Sequence, residues 1–308
     1  MRFGADLRNI PDSAWRAAAA IGLVASCLAR SRAVWGGGLL VIATPSKTSA
    51  KAWHAACITL AVLNLPNYQF VNPTCQSAWN LGGFQMLAEG RGADGESGDF
   101  FAFRLSGPNR LAVVIGDVCG HGHDVAAHLR RVAERFERLA PEGPAQFLME
   151  MNRELFGQLA MDRFVTSAAY EVDRRTRTLT VANAGHVPAI LRRANGAVTI
   201  IGRASGPPLG VIEQPRYFEE SVTFEEGDVM VLMTDGIVEA VETDLTEMPK
   251  LRALTAQSVG SGWEIHRHLL GSLREEKEKR DPDDMTLLSL ELMGEPPSAR
   301  GLESHRSN

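Results

Sequence analysis

No stretch of the chain reaches the ~18–20 uninterrupted apolar residues that a membrane-spanning helix requires. The nearest, Ala17–Ala29, has thirteen residues. It follows Arg16 and precedes Arg30 and Arg32 with no clean small-residue cleavage site, which argues against a secretory signal. A transit peptide, or an upstream stretch that is rarely translated, remains open. Cysteine is scarce. Cys27, Cys57, Cys75 and Cys119 show neither a CxxC spacing nor a pairing pattern, as expected of free thiols in a reducing cytosol. There is no basic excess, since the net charge is −5, and this excludes a general nucleic-acid binder. Residues 1–80 contain no Glu at all.

That last absence marks a composition break. Residues 1–80 hold seven of the 32 basic residues and two of the 37 acidic ones. The break predicts an N-terminal extension over 1–80, weakly structured or separate, and a folded domain over 81–294. A polar tail follows Pro296-Pro297, and 295–308 is predicted to be disordered. Within the extension, 14–28 and 53–63 could be helices and 39–43 a strand; no motif there carries chemistry.

From residue 99 the pattern sharpens. Arg110–Gly116 reads as a strand and Gly120-His121-Gly122 as a turn. His123–Leu139 reads as a helix with Val125, Leu129, Val132 and Phe136 on one stripe. Pro144 opens a second helix at its first turn, with Phe147, Leu148, Met151, Leu155 and Leu159 on one side. Strands are predicted at 164–172, 178–184, 189–193, 198–201, 217–224 and 229–234, a helix at 262–279 and a last strand at 285–292. Asn195-Gly196 is a hairpin signal, and 90–98 reads as a Gly-rich loop. Strand, two helices, several hairpin strands, helix, strand: this order suits an α+β sandwich of antiparallel sheets with helices outside, not a doubly wound parallel sheet.

Four short acidic motifs stand out: Ser97-Gly98-Asp99, Ile115-Gly116-Asp117-Val118, Thr234-Asp235-Gly236 and Asp283-Asp284-Met285-Thr286. Three of them border an apolar run, so strand ends can bring the carboxylates together. Such a cluster repels itself unless something positive neutralises it. Oxygen donors with few thiols and no His pair favour a hard divalent ion, Mg²⁺ or Mn²⁺.

Seven segments in order extend these motifs: Ser97–Phe101, Gly116–Gly122, Phe164-Val165-Thr166, Asn183–Pro188, Pro208-Leu209-Gly210, Gly227-Asp228 with Thr234–Ala240, and Asp283–Thr286. Over about residues 97–292 the chain resembles the metal-dependent type 2C protein phosphatases (PPM family), in the bacterial branch named for the sporulation phosphatase SpoIIE. The resemblance implies a four-layer α/β/β/α sandwich and a protein serine/threonine phosphatase with two Mn²⁺ or Mg²⁺ ions and a metal-activated water. Asp117 would bridge the ions and the Val118 carbonyl would bind one of them. Asp99 would serve one ion directly or through water, and Asp235 and Asp283 would hold the other. Asp284 is read as a turn cap. His121 and His186 are assigned structural roles, His123 an exposed position and Cys119 a packed turn. Arg163 or Arg104 could contact substrate phosphate, although surface or salt-bridge roles suit them better. No Cys-x5-Arg signature offers a phosphocysteine route. The implied partner is a phosphorylated regulatory protein, such as an anti-sigma-factor antagonist in a cytoplasmic partner-switching circuit. No nucleic acid, membrane span or oligomeric state is implied.

Two positions depart from the family pattern: Ser97, where a glycine is usual, and Ala102, where an acidic residue is frequent. They keep open a non-catalytic binding module; hydrolysis of a small phosphoester is a third reading. No strand leading into the first motif is legible in 86–96.

Overall fold

A computed structural model describes residues 68–71, 76–81, 83–91, 98–106, 109–119, 143–159, 163–277 and 284–294. The helix predicted at 123–139, with His121 and His123, lies outside these residues, as do the elements predicted within 1–67 and the tail 295–308. Among the described residues there are two six-stranded antiparallel sheets and four helices. We number the strands β1 (Tyr68–Val71), β2 (Gln76–Asn80), β3 (Phe84–Arg91), β4 (Asp99–Leu105), β5 (Arg110–Val118), β6 (Val165–Asp173), β7 (Thr178–Ala184), β8 (Ala189–Arg192), β9 (Val198–Ile201), β10 (Glu220–Thr223), β11 (Val229–Met233) and β12 (Met285–Leu292). The helices are α1 (Pro144–Leu155), α2 (Asp235–Val241), α3 (Pro249–Gln257) and α4 (Gly262–Lys277).

The first sheet runs β1-β4-β5-β6-β7-β10 and the second β2-β3-β12-β11-β8-β9. Side chains alternate between the faces of a strand, and the core divides accordingly. Phe100, Ala102, Val114, Val118, Val165, Ala169 and Ala182 face outward and bury Phe147, Leu148, Met151 and Leu155 of α1. Val229, Val231, Met233 and Leu287 face outward from the second sheet onto α2, α3 and α4. The opposite positions meet between the sheets, where Trp79 of β2 sets its ring edge-on to Phe101 and Phe103 of β4, at centroid distances of 5.7 and 5.1 Å. This is an α+β sandwich with helices outside and two sheets within, as the element order predicts.

Two expectations are corrected. A strand does lead into the first motif: β3 pairs antiparallel with β12 along its whole length, Phe84↔Leu292 to Arg91↔Met285. Glu89, Gly90 and Arg91 disguise it at the sequence level, because a strand with neighbours on both sides draws its stability from ladder pairing as much as from its own residues. The sheets also begin upstream of the composition break near residue 80. β1 and β2 precede it, each at the edge of one sheet, and the compact unit starts at Asn67.

Candidate active site

Period-two alternation decides which side chains meet between the sheets. Asp99 lies two and four residues before Phe101 and Phe103, so its side chain points inward with them. Asp99 is directly opposite Asp117 on β5, and Asp117 is opposite Thr166 on β6. One row across the first sheet therefore reads Asp99, Asp117, Thr166. Beside the row, Gly98 has no room for a side chain. A Cβ there would lie 2.8 Å from Asp117 Oδ1 and 2.9 Å from the Val118 carbonyl oxygen.

The second sheet meets this row end-on. Beyond the inward pair Leu232↔Leu288, the next inward positions are Thr234 and Thr286. Their hydroxyls donate to Asp99 Oδ2 at 2.8 and 2.6 Å. The Thr286 N–H donates to Thr234 Oγ1 at 2.9 Å, and the Thr234 N–H to the Thr286 carbonyl at 3.1 Å. Asp235 follows at once as the first residue of α2, its Oδ1 accepting from the Gly236 N–H at 3.0 Å. Asp284 caps the turn at Gly98, accepting its N–H at 2.6 Å. Burial holds the Asp99 carboxyl well above the usual carboxylate range. The Thr286 and Thr234 hydroxyls oppose that shift, and the Asp117 and Asp284 carboxylates reinforce it. Carboxylates from both sheets are thus gathered at one end of the sandwich. Asp283 lies outside the described residues.

The other motif residues hold turns and strand ends. Asn183 is wholly buried and organises its turn: Nδ2 donates to the His186 carbonyl (2.9 Å) and the Gly202 carbonyl (2.7 Å), and Oδ1 accepts the His186 N–H (2.7 Å). His186 is buried, with Nδ1 2.9 Å from Thr166 Oγ1. Burial lowers its pKa to about 4, opposed by the nearby Met233 carbonyl, so the ring is neutral. Leu209 exchanges both backbone hydrogen bonds with Val165, at 3.1 and 2.8 Å. The next residue, Gly210, has φ +87° and donates to Asn152 Oδ1 of α1 at 2.9 Å. Asp228 stands apart, at the opposite end of β11 from Asp235, and is a clasp there, accepting from Arg193 Nη1 (2.8 Å), the Ala194 N–H (2.9 Å) and the Glu225 N–H (3.0 Å). Arg163 donates to the Cys119 carbonyl at 3.3 Å, and Cys119 is half-buried with its N–H bonded to the Phe164 carbonyl at 3.0 Å. Arg104 lies five residues along β4 from Asp99, about 17 Å at strand rise. It faces Glu171 there, remote from the row.

The donors match a hard divalent cation in kind, since Asp117, Val118 and Asp235 offer only oxygen. Two of them stand together, since Asp117 Oδ1 and the Val118 carbonyl oxygen both lie close against Gly98. Among the described residues, no three histidine, cysteine, aspartate or glutamate side chains close around an ion by themselves. Gly98, Thr234 and Thr286 lie within the motifs, yet nothing in the sequence assigns them a role. Their signal was position beside an acidic residue, which does not reveal a partner in another sheet.

Residues 107–293 match the family model described as Stage II sporulation protein E (SpoIIE). Phosphoserine phosphatase RsbU of Bacillus subtilis (strain 168) is 28% identical over 200 residues, 63% of this chain and 59% of that protein. Phosphoserine phosphatase RsbP of the same organism is 27% identical over 149 residues, 46% of this chain and 37% of that protein. The chain thus spans less than two thirds of either relative. Among solved structures, the phosphatase domain with a fragment of the regulatory domain of SpoIIE from Bacillus subtilis aligns with a TM-score of 0.60. It is 15% identical, covering 92% of this chain and 89% of that one. RsbX in complex with magnesium aligns with a TM-score of 0.56 at 21% identity, covering 70% of this chain and 99% of that one. Both are likenesses of fold. Among the described residues no helix is long and apolar enough to cross a membrane.

Proposed function

The chain belongs to the SpoIIE family, and from that premise we propose that it is a metal-dependent protein serine/threonine phosphatase. The observation that carries this reading is that Asp117 Oδ1 and the Val118 carbonyl oxygen stand side by side against Gly98, within 2.8 and 2.9 Å of where a Cβ would lie. Asp117, the Val118 carbonyl, Asp235 and Asp283 would hold two Mn²⁺ or Mg²⁺ ions. When bound, the cations supply an activated water for in-line attack at phosphorus and neutralise the phosphoryl oxygens. The protein's part is positioning. Register pairing sets Asp117 beside Asp99, α2 presents Asp235 at its first turn, and the neutral His186 steadies Thr166 next to Asp117. Preorganised charge of this kind is where such sites gain most of their rate.

The substrate is a phosphoserine or phosphothreonine on a regulatory protein, in a cytoplasmic partner-switching circuit that ends on an anti-sigma-factor antagonist. RsbU and RsbP are both named phosphoserine phosphatases, which favours serine. The phosphatase domain is the compact unit from Asn67 onward, preceded by an extension. The test is Mn²⁺-dependent release of phosphate from a phosphoserine protein by the chain and by Asp117→Asn. Loss of release in a folded variant supports the mechanism, and undiminished turnover rejects it. A folded wild-type chain that takes up no Mn²⁺ favours the binding module.

A further inference from the structure

The family resemblance assigns Asp99 to an ion, but its surroundings give it other work. Resting on the phosphatase reading above, we propose that Asp99 is a positioning residue: through the Thr234 and Thr286 hydroxyls it locks the ligand-bearing end of the second sheet against Asp117.

Three observations carry this. Asp99 Oδ2 receives both hydroxyls, at 2.8 and 2.6 Å, which engages both lone pairs of that oxygen. The two threonines are also bonded to each other through their backbones and Thr234 Oγ1, so the three residues form one closed set. All three are buried, at 1%, 0% and 0% exposure. Elsewhere the sheets touch through apolar contacts such as Trp79 on Phe101 and Phe103. Those are non-directional and let one sheet slide against the other. Hydrogen bonds to a carboxylate are short and directional, so sliding stops here. The neighbouring bond from the Gly98 N–H to Asp284, 2.6 Å, ties the same two chain segments independently.

The lock lies where sliding would do most harm. Asp99 is one strand from Asp117, Thr234 directly precedes Asp235, and Thr286 is three residues after Asp283. Ligands on two sheets must be held to about 0.5 Å to share an ion, and the lock fixes that separation without touching the ion.

The experiment is Mn²⁺ titration calorimetry on the full chain, with urea unfolding of each variant as a control. Thr286→Val keeps the shape and removes the hydroxyl. It is expected to weaken Mn²⁺ binding by about 10–100-fold, the usual cost of losing an outer-shell partner. Thr286→Ser restores the hydroxyl and is expected to bind within about threefold of wild type, well inside that range. Asp99→Asn keeps an oxygen that can accept both hydroxyls, so it is expected to lose less than Thr286→Val. Wild-type affinity in Thr286→Val overturns the lock, and abolished binding in Asp99→Asn alone makes Asp99 a ligand and overturns it too. Should Thr286→Val not fold, Asp99→Asn decides. Loss within about tenfold supports the lock, and loss beyond about 100-fold, more than an outer-shell partner costs, overturns it. A wild-type chain that binds no Mn²⁺ overturns the phosphatase reading together with the lock. A chain that binds normally while Thr286→Val matches it overturns the lock alone.

Discussion

Strand β12 carries a buried hydroxyl on each face, and the two are used differently. Thr286 points inward and meets a carboxylate from the other sheet at 2.6 Å. Three residues on, Ser289 points outward and meets His266 Nδ1 of α4 at 2.9 Å. Around the inner pair stand Asp117 and Asp284, and their charge adds to the burial that raises Asp99. Around the outer pair burial alone acts, and it lowers His266 to about 3. A buried polar group with unlike neighbours serves packing; one crowded by like charges is held there for something else to neutralise.

The largest break in this comparison comes from Asp117→Asn. Turnover on a phosphoserine protein is expected to fall by more than about 100-fold, beyond the range of an outer-shell loss. Urea stability should hold or rise, because a like charge leaves the Asp99 row. Ser289→Ala should do the reverse. It strands His266 Nδ1 and costs roughly 1–3 kcal/mol in urea unfolding, with turnover per folded molecule unchanged.

A smaller effect separates the faces by pH. His266 folds neutral with a pKa of about 3, against an ordinary 6.5, so the unfolded chain binds the proton that the folded one refuses. Its stabilisation is complete above pH 6.5 and declines as pH falls towards 3, by about 1.4 kcal/mol per unit well inside that window. His186 adds a parallel loss between 6.5 and about 4. In urea midpoints measured from pH 7 to 5, His266→Gln should flatten the slope by the His266 share and leave that of His186. The smallest effect belongs to the surface. Glu247→Gln, breaking the exposed 2.6 Å pair with Arg203, should change stability by less than about 0.5 kcal/mol in the same assay.

What was legible in the sequence was what neighbours in the chain decide. Thr178–Ala184, Val198–Ile201 and Met285–Leu292 stand at their predicted ends, since apolar runs bounded by turn residues announce themselves. The α1 stripe of Phe147, Leu148, Met151 and Leu155 is buried as its spacing requires. β3 was hidden by its polar end. α2 was not predicted, because its seven residues start directly after the strand expected at 229–234, with no turn to announce a helix. The family resemblance named the acidic positions of the site, but the partners of Asp99 lie 135 and 187 residues away. No local period encodes a contact of that range, and only the stacking of the sheets makes it.

Gly98 carries a consequence for how this fold diversifies. With a hydrogen where other residues carry a Cβ, the turn lets the Asp117 and Val118 oxygens come up against it. A change to alanine would push those oxygens aside while every acidic motif stayed legible. A relative could thus preserve the whole acidic signature and lose this arrangement, one codon away from this chain.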